Sequence, residues 1–287
     1  MIKLFVSDMD GTLLNENHVI SERNAEAIRQ LEAAGIEFMI ATGRTLMSAT
    51  PLLKEHGLKS HMINLNGAAI YDTQGRLEYS IPMEPSTVAE IMSYCAVNGL
   101  GYTLMTDQHT FVIDVEEFIE DMKKFMPVRE QEDGQELSSQ AQFAGIQEDI
   151  RPLDEFDFNH NHTILKMMVF SPQDPSKFDA FHPVFDKFDD IDITSSAVDN
   201  REITHTNAQK GIAVESYAQQ KGYTMDQVAT IGDSLNDRSM LKMAKYSYAM
   251  DNASPEVKAM AKFIAPSNRE DGVALVIEQI LSEQAQS

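Results

Sequence analysis

Residues 3–14 read Lys3-Leu4-Phe5-Val6-Ser7-Asp8-Met9-Asp10-Gly11-Thr12-Leu13-Leu14, an apolar strand that runs into two acids and a glycine. A buried strand that ends in paired carboxylates is costly unless a cation or a reaction needs them. Asp8 and Asp10 cannot point the same way along an extended chain, so the turn begins between them, and Gly11 gives it the freedom to close. That turn aims both acids at one point. It also exposes backbone N–H groups suited to an anion such as phosphate. The chemistry suggested is a carboxylate nucleophile, Asp8, with Asp10 placed to move a proton. An acidic loop capping a strand is the commoner fate of an isolated Asp-x-Asp pair. An EF-hand loop fits poorly, because its glycine belongs at the sixth position and Gly11 is the fourth.

Outward from this stretch, strand and helix patterns alternate. A strand over 2–7 is followed by a helix over 21–35, a strand over 37–41, a helix ending near Gly57 and a strand over 62–65. Ser21 suits an N-cap, Ala25, Ile28 and Leu31 recur at helical spacing, and Gly35 stands where a left-handed C-terminal residue is wanted. This is a βαβ unit, and it predicts a parallel sheet. After Asn66-Gly67-Ala68 comes a hairpin-like pair, Ile70-Tyr71 and 77–81, before Pro82 and Pro85 break the pattern.

Residues 84–193 follow hairpin spacing: a helix near 88–97, short strands either side of Asp107-Gln108-His109, an acidic loop at 130–136 and a strand at 163–170. Past Glu202 the alternation returns, with a helix over 211–221, a strand over 228–232, a helix over 236–244 and a helix opened by Ser254-Pro255-Glu256. The expected architecture is an α/β domain built from residues 1–83 and 194–287, interrupted by an α+β module at 84–193.

The 287 residues carry 23 Lys plus Arg against 45 Asp plus Glu, a net charge of −22. Such a chain repels nucleic acid and anionic membrane at long range, so an anionic substrate needs a local cluster of donors or a metal. The single cysteine, Cys95, excludes an internal disulfide and reads as a core residue. The absence of a signal-like start or a spanning apolar run leads to the expectation of a cytoplasmic protein.

Four segments in the α/β part place polar residues at strand ends or helix starts, where an open parallel sheet forms its ligand crevice. The first is Asp8-Met9-Asp10-Gly11-Thr12. In the second, Ala41-Thr42-Gly43-Arg44, a hydroxyl and free N–H groups follow a strand, although Thr42-Gly43 alone is also a helix-start signal. The third is Lys210 before Gly211. A lysine there opposes the helix dipole by about 0.3–1 kcal/mol, which a nearby anion would explain better than surface solvation. The fourth is Ile231-Gly232-Asp233-Ser234-Leu235-Asn236-Asp237. Two carboxylates 4 Å apart repel by about 4 kcal/mol at an effective dielectric near 20, so several in one crevice call for a cation. Hard oxygen ligands beside a phosphate favour Mg²⁺.

The order of these four segments resembles the haloacid dehalogenase superfamily, and within it the Cof-type branch of sugar-phosphate and small-metabolite phosphatases. Asn66-Gly67-Ala68, Glu202-Ile203, Ala249-Met250, Asn252-Ala253 and Glu270-Asp271-Gly272-Val273-Ala274 are similar to that branch as well. The resemblance implies a Rossmann-like core with an inserted cap that chooses the substrate, a small phosphorylated metabolite. It implies Mg²⁺-dependent transfer through an aspartyl-phosphate on Asp8, with Asp10 as general acid and base. Metal ligation is then carried by Asp8, the backbone carbonyl of Asp10 and Asp233, supported by Asp237. The phosphate is held by Gly11, Thr42, Gly43, Arg44, Lys210 and Asn236. A phosphomutase on the same framework is the alternative.

Two departures from the branch stand out. Thr204-His205-Thr206-Asn207-Ala208-Gln209 replaces a Pro- and Gly-containing turn, with Asn207 able to take a left-handed conformation. Asp251 stands where a glycine is common. His160-Asn161-His162 lacks a third metal ligand nearby in sequence. Arg201 and His205 read as partners of surface acids, and Lys166-Met167-Met168-Val169-Phe170 reads as core of the inserted module.

Overall fold

The computed structural model describes residues 1–125, 147, 149–158, 162–195 and 198–285. The chain divides into two compact units, Met1–Tyr79 with Gln209–Ser287, and Ser80–Ala208.

The first unit holds β1 (Leu4–Ser7), β2 (Glu37–Ala41), β3 (His61–Asn64), β4 (Ala69–Tyr71), β5 (Leu77–Ser80), β12 (Val228–Gly232), β13 (Tyr246–Met250) and β14 (Phe263–Ala265). Their order in one sheet is β14-β13-β12-β1-β2-β3-β4-β5. β1 pairs in parallel with β2 on one side and β12 on the other, Val6 lying opposite Met39 and Thr230. The chain thus winds outward from β1 in one direction, leaves, and returns to wind outward in the other. At the far side β3 and β4 pair antiparallel.

Both faces of β1 are buried, which is why its sequence does not alternate. Phe5 packs with α1 (Glu22–Ala33), α2 (Leu46–Lys54) and α9 (Gly272–Ala285). Leu4 and Val6 pack with α6 (Lys210–Gln220) and α7 (Arg238–Met243) on the opposite face. Ser21 caps α1, its hydroxyl accepting from Asn24 N–H at 3.1 Å, a contact of about 1 kcal/mol. The short α8 (Pro255–Lys258) is capped in the same way by Ser254.

The second unit has α3 (Pro85–Asn98), β6 (Gly101–Thr106), β7 (Thr110–Val112), α4 (Val115–Phe125), β8 (Ile150–Pro152), β9 (Ile164–Phe170), α5 (Phe178–Phe185), β10 (Ile191–Thr194) and β11 (Asn200–His205). Its sheet order is β10-β11-β9-β6-β7-β8, antiparallel except for β7 with β8. One core holds Val88, Ile91, Cys95, Leu104, Met167, Val169, Phe181 and Ile203. Burial pushes the Cys95 thiol pKa up to about 12.

The second unit of this division runs from Ser80 to Ala208, where the sequence places 84–193. Met83 is already in the second core and its N–H donates to Ile164 O at 2.8 Å. β11, expected to lie past the boundary, is bonded between β9 and β10. The Met-rich strand is core on one face only: Met167 and Val169 face the helices, whereas buried Lys166 pairs with Glu202 at 2.6 Å. The turn after β11 closes through Asn207 N–H to His205 Nδ1 and Ala208 N–H to His205 O, and Asn207 is not left-handed. Asp251 pairs with Lys258 at 2.7 Å. Arg201, expected beside a surface acid, lies over the Phe178 ring and donates through Nε to His182 Nε2 at 2.9 Å. His162 packs edge-on against Phe111, whereas residues 130–136 and His160-Asn161 lie outside the described residues.

Candidate active site

The carboxyl ends of β1, β2 and β12, with the N-terminus of α6, bring the first unit's polar segments together. After β1 the chain makes a wide turn in which Leu13 and Leu14 N–H reach back five residues to Asp8 O and Met9 O. Gly11 adopts φ +74°, and a Cβ there would lie 2.5 Å from an Asp233 carboxylate oxygen. Gly11 therefore both turns the chain and admits the fourth segment against the first.

Lys210 is the centre of the cluster. Its Nζ, wholly buried, donates to Asp8 Oδ1 and to Asp237 Oδ1, each at 2.6 Å. Asp237, equally buried, accepts at Oδ2 from the N–H groups of Asp233 and Ser234 at 2.9 Å. Asp237 is thus a buttress that fixes Lys210 on one side and the Asp233 backbone on the other. Asp233 accepts from Thr12 Oγ1 at 2.9 Å and from Ser234 Oγ at 3.2 Å.

The electrostatics follow from three acids around one ammonium. Burial raises the Asp8 pKa well above the ordinary carboxylate range, with Asp237 and Asp233 adding to the rise and Lys210 offsetting only part of it. Burial and Asp237 also raise Asp233. Burial alone would lower the Lys210 pKa, but Asp237 and Asp8 outweigh it and hold the ammonium firmly charged. Carboxylate oxygens of Asp8, Asp233 and Asp237 lie within 4.8 Å of one another. A surplus of buried, hard oxygen donors is a donor set that fits Mg²⁺.

Asp10 is held differently. Arg44 donates to it through Nε at 2.7 Å and Nη2 at 2.6 Å, a two-pronged fork. Burial pushes the Asp10 pKa up, but the Arg44 fork and its charge outweigh that and hold the carboxyl below its usual range. Arg44, for which contact with an anionic substrate and pairing with an acid are both expectations, has Asp10 as its partner here. Thr42, buried at the end of β2, accepts from Arg44 N–H at 3.2 Å. Asn236 Nδ2 donates to Asn66 Oδ1 at 3.1 Å, and that same oxygen would meet a Cβ placed on Gly43 at 2.8 Å. Asn236 thereby ties the fourth segment to the loop beside the second.

Several contributors have no role assigned from the sequence. Asn252 donates to Gly11 O at 2.8 Å, Asn268 to Leu14 O at 2.9 Å and Asn24 to Leu13 O at 3.1 Å, so three amides hold the carbonyls that the wide turn removes from the sheet. The signal was faint: Asn24 is a polar residue on the apolar stripe of α1, Asn252 enters only as part of the branch-like Asn252-Ala253 pair, and Asn268 lies in an otherwise unremarked loop.

The family profile of haloacid dehalogenase-like hydrolases matches residues 5–277. The chain belongs to that family. This hydrolase is 31% identical over 98% of its length to phosphatase YwpJ of Bacillus subtilis, all of which it covers. It is 33% identical, over 99% of both chains, to the 5-amino-6-(5-phospho-D-ribitylamino)uracil phosphatase YwtE of the same organism. Among solved structures, a haloacid dehalogenase-like hydrolase from B. subtilis superposes with a TM-score of 0.81 at 28% identity, covering 96% of this chain and 99% of that one. Among the described residues no helix is long and apolar enough to cross a membrane.

Proposed function

We propose that this hydrolase cleaves the phosphomonoester of a small metabolite through an aspartyl-phosphate on Asp8, with Asp10 moving the proton. The observation that carries the reading is the buried contact of Lys210 with Asp8, beside Asp233 and Asp237. An unreactive core has no use for three acids around one ammonium at the ends of parallel strands.

In the first half-reaction an Asp8 oxygen bonds phosphorus, the bond from phosphorus to the ester oxygen breaks, and Asp10 gives that oxygen its proton. In the second, water attacks the acyl phosphate, Asp10 takes a proton from it, and orthophosphate leaves Asp8. Lys210 neutralises charge beside the attacking oxygen, while the Thr42 hydroxyl, the N–H groups around Gly11 and Gly43, and Asn236 orient the phosphoryl oxygens. Asp8, Asp233 and the main-chain carbonyl of Asp10 would hold Mg²⁺, with Asp237 behind them. When bound, the ion supplies charge neutralisation at the phosphoryl oxygens. The inserted unit is the proposed selector of substrate.

A phosphate-release screen over many phosphomonoesters with Mg²⁺ tests this, and it includes 5-amino-6-(5-phospho-D-ribitylamino)uracil because relatives carry that name. Release from at least one sugar or ribityl phosphate is expected. Silence across the whole panel would overturn the reading.

A further inference from the structure

We propose that Arg44 is a positioning residue that acts through Asp10, fixing the Asp10 carboxyl toward the ester oxygen, and is not itself a ligand of the phosphate. The inference rests on the phosphatase reading above. Its first support is the fork: Nε and Nη2 are committed to the two Asp10 oxygens and Nη1 faces Ser48 O at 3.5 Å. Each carboxyl oxygen keeps a second lone pair, so an anchored Asp10 can still take up and deliver a proton in a fixed direction.

The second support is independent of the fork. The Arg44 backbone is gripped on both sides, its N–H by Thr42 Oγ1 and its carbonyl by Leu65 N–H at 3.1 Å and Asn64 Nδ2 at 3.0 Å. The gripping residues carry unfavourable features. Leu65 and Asn66 sit at φ +52° and +60°, which glycine adopts easily and leucine does not. Asn64 is fully buried, and its Oδ1 has no hydrogen-bond partner. Strain and an unpaired acceptor coincide at the loop that sets the direction of one arginine. A phosphate ligand alone would not require its backbone to be held from both sides.

The test separates leaving-group protonation from phosphate binding. p-Nitrophenyl phosphate expels a phenolate that departs without a proton, whereas glycerol 2-phosphate expels an alkoxide that needs one from Asp10. The ratio of kcat/KM for the alkyl ester to that for the aryl ester therefore reads proton delivery, and losses common to both esters cancel. Arg44→Ala is expected to lower that ratio by about 10–100-fold, within the range that a general acid contributes. Arg44→Lys should fall between, because an ammonium cannot form the fork. In an Asp10→Asn background, Arg44→Ala should change the ratio by less than about twofold, since residues acting as a unit are not additive. Retained turnover of the aryl ester shows that each variant has folded. Equal losses for both esters, carried in KM and additive with Asp10→Asn, would instead make Arg44 a phosphate ligand and overturn the proposal. So would an unchanged ratio. A wild-type chain silent on both esters and across the whole metabolite panel removes the phosphatase reading itself, and this inference with it.

Discussion

Among the described residues two lysines are buried, one in each unit, and their surroundings differ in charge balance. Lys166, on β9, is 2% exposed and meets Glu202 of β11 at 2.6 Å, one cation to one anion. Lys210, at the start of α6, meets Asp8 and Asp237 with Asp233 close by, one cation to three anions. The first is a balanced pair of the kind that a hydrophobic replacement can equal or better. The second carries an excess of negative charge that burial makes expensive, and the raised Asp8 and Asp233 pKa values are the measure of it. Burial of a charge is therefore a weak sign of chemistry, and imbalance is a stronger one.

The sharpest test of that contrast is Asp8→Asn, which should leave phosphate release below detection while the far-ultraviolet dichroism is unchanged. Turnover near the wild-type rate would show that the unbalanced cluster is as inert as the balanced pair. Asp10→Asn comes next, with a fall in kcat of about 10²–10⁴ expected from loss of a general acid.

The excess charge should also respond to cations and protons. Mg²⁺ at 100 times its dissociation constant should stabilise the wild type by about 2.7 kcal/mol, read as a rise in Tm. Asp233→Asn should lose most of that rise. Without Mg²⁺ the sign of the pH effect follows from the raised carboxyl pKa values. Between the ordinary range and the raised values the folded chain binds more protons than the unfolded one, so stability falls as pH rises through that window. The metal-free protein should accordingly melt higher at about pH 5 than at about pH 8, and Mg²⁺ should narrow the gap. A Tm indifferent to both would mean that the cluster is compensated in some other way.

The smallest effect on turnover belongs to the balanced pair. Lys166→Met leaves Glu202 without its ammonium and should cost about 3 kcal/mol of stability in urea unfolding. The double change Lys166→Met with Glu202→Leu should recover most of that loss and leave phosphate release within about threefold of wild type. A collapse of activity in a stable double variant would move this pair into the functional machinery.

The parts of the fold legible in the sequence were those fixed locally. β1, β2 and β12 are apolar on both faces, and α1 carries its cap and stripe within a dozen residues. The second unit's boundary was not legible, because Asn200-Arg201-Glu202-Ile203-Thr204-His205 supplies one core side chain, Ile203, and its place depends on pairing with β9. In the site, the order of acids, hydroxyl and lysine marked Asp8, Asp233, Asp237 and Lys210, which the structure does bring together. Side-chain pairing was not legible. No spacing rule ties Arg44 to Asp10, and leucine has no preference for the left-handed backbone that Leu65 adopts.

The position of β1 has a further consequence for biosynthesis. The strand that ends in Asp8 leaves the ribosome well before β12, one of its two neighbours, whose Val228 pairs opposite Leu4. Translation must proceed through the entire second unit before that edge is covered, an interval on the order of tens of seconds. Throughout it, Asp8 stands in the nascent chain without Lys210 or Asp233, so the cluster can assemble only after the second unit has been made.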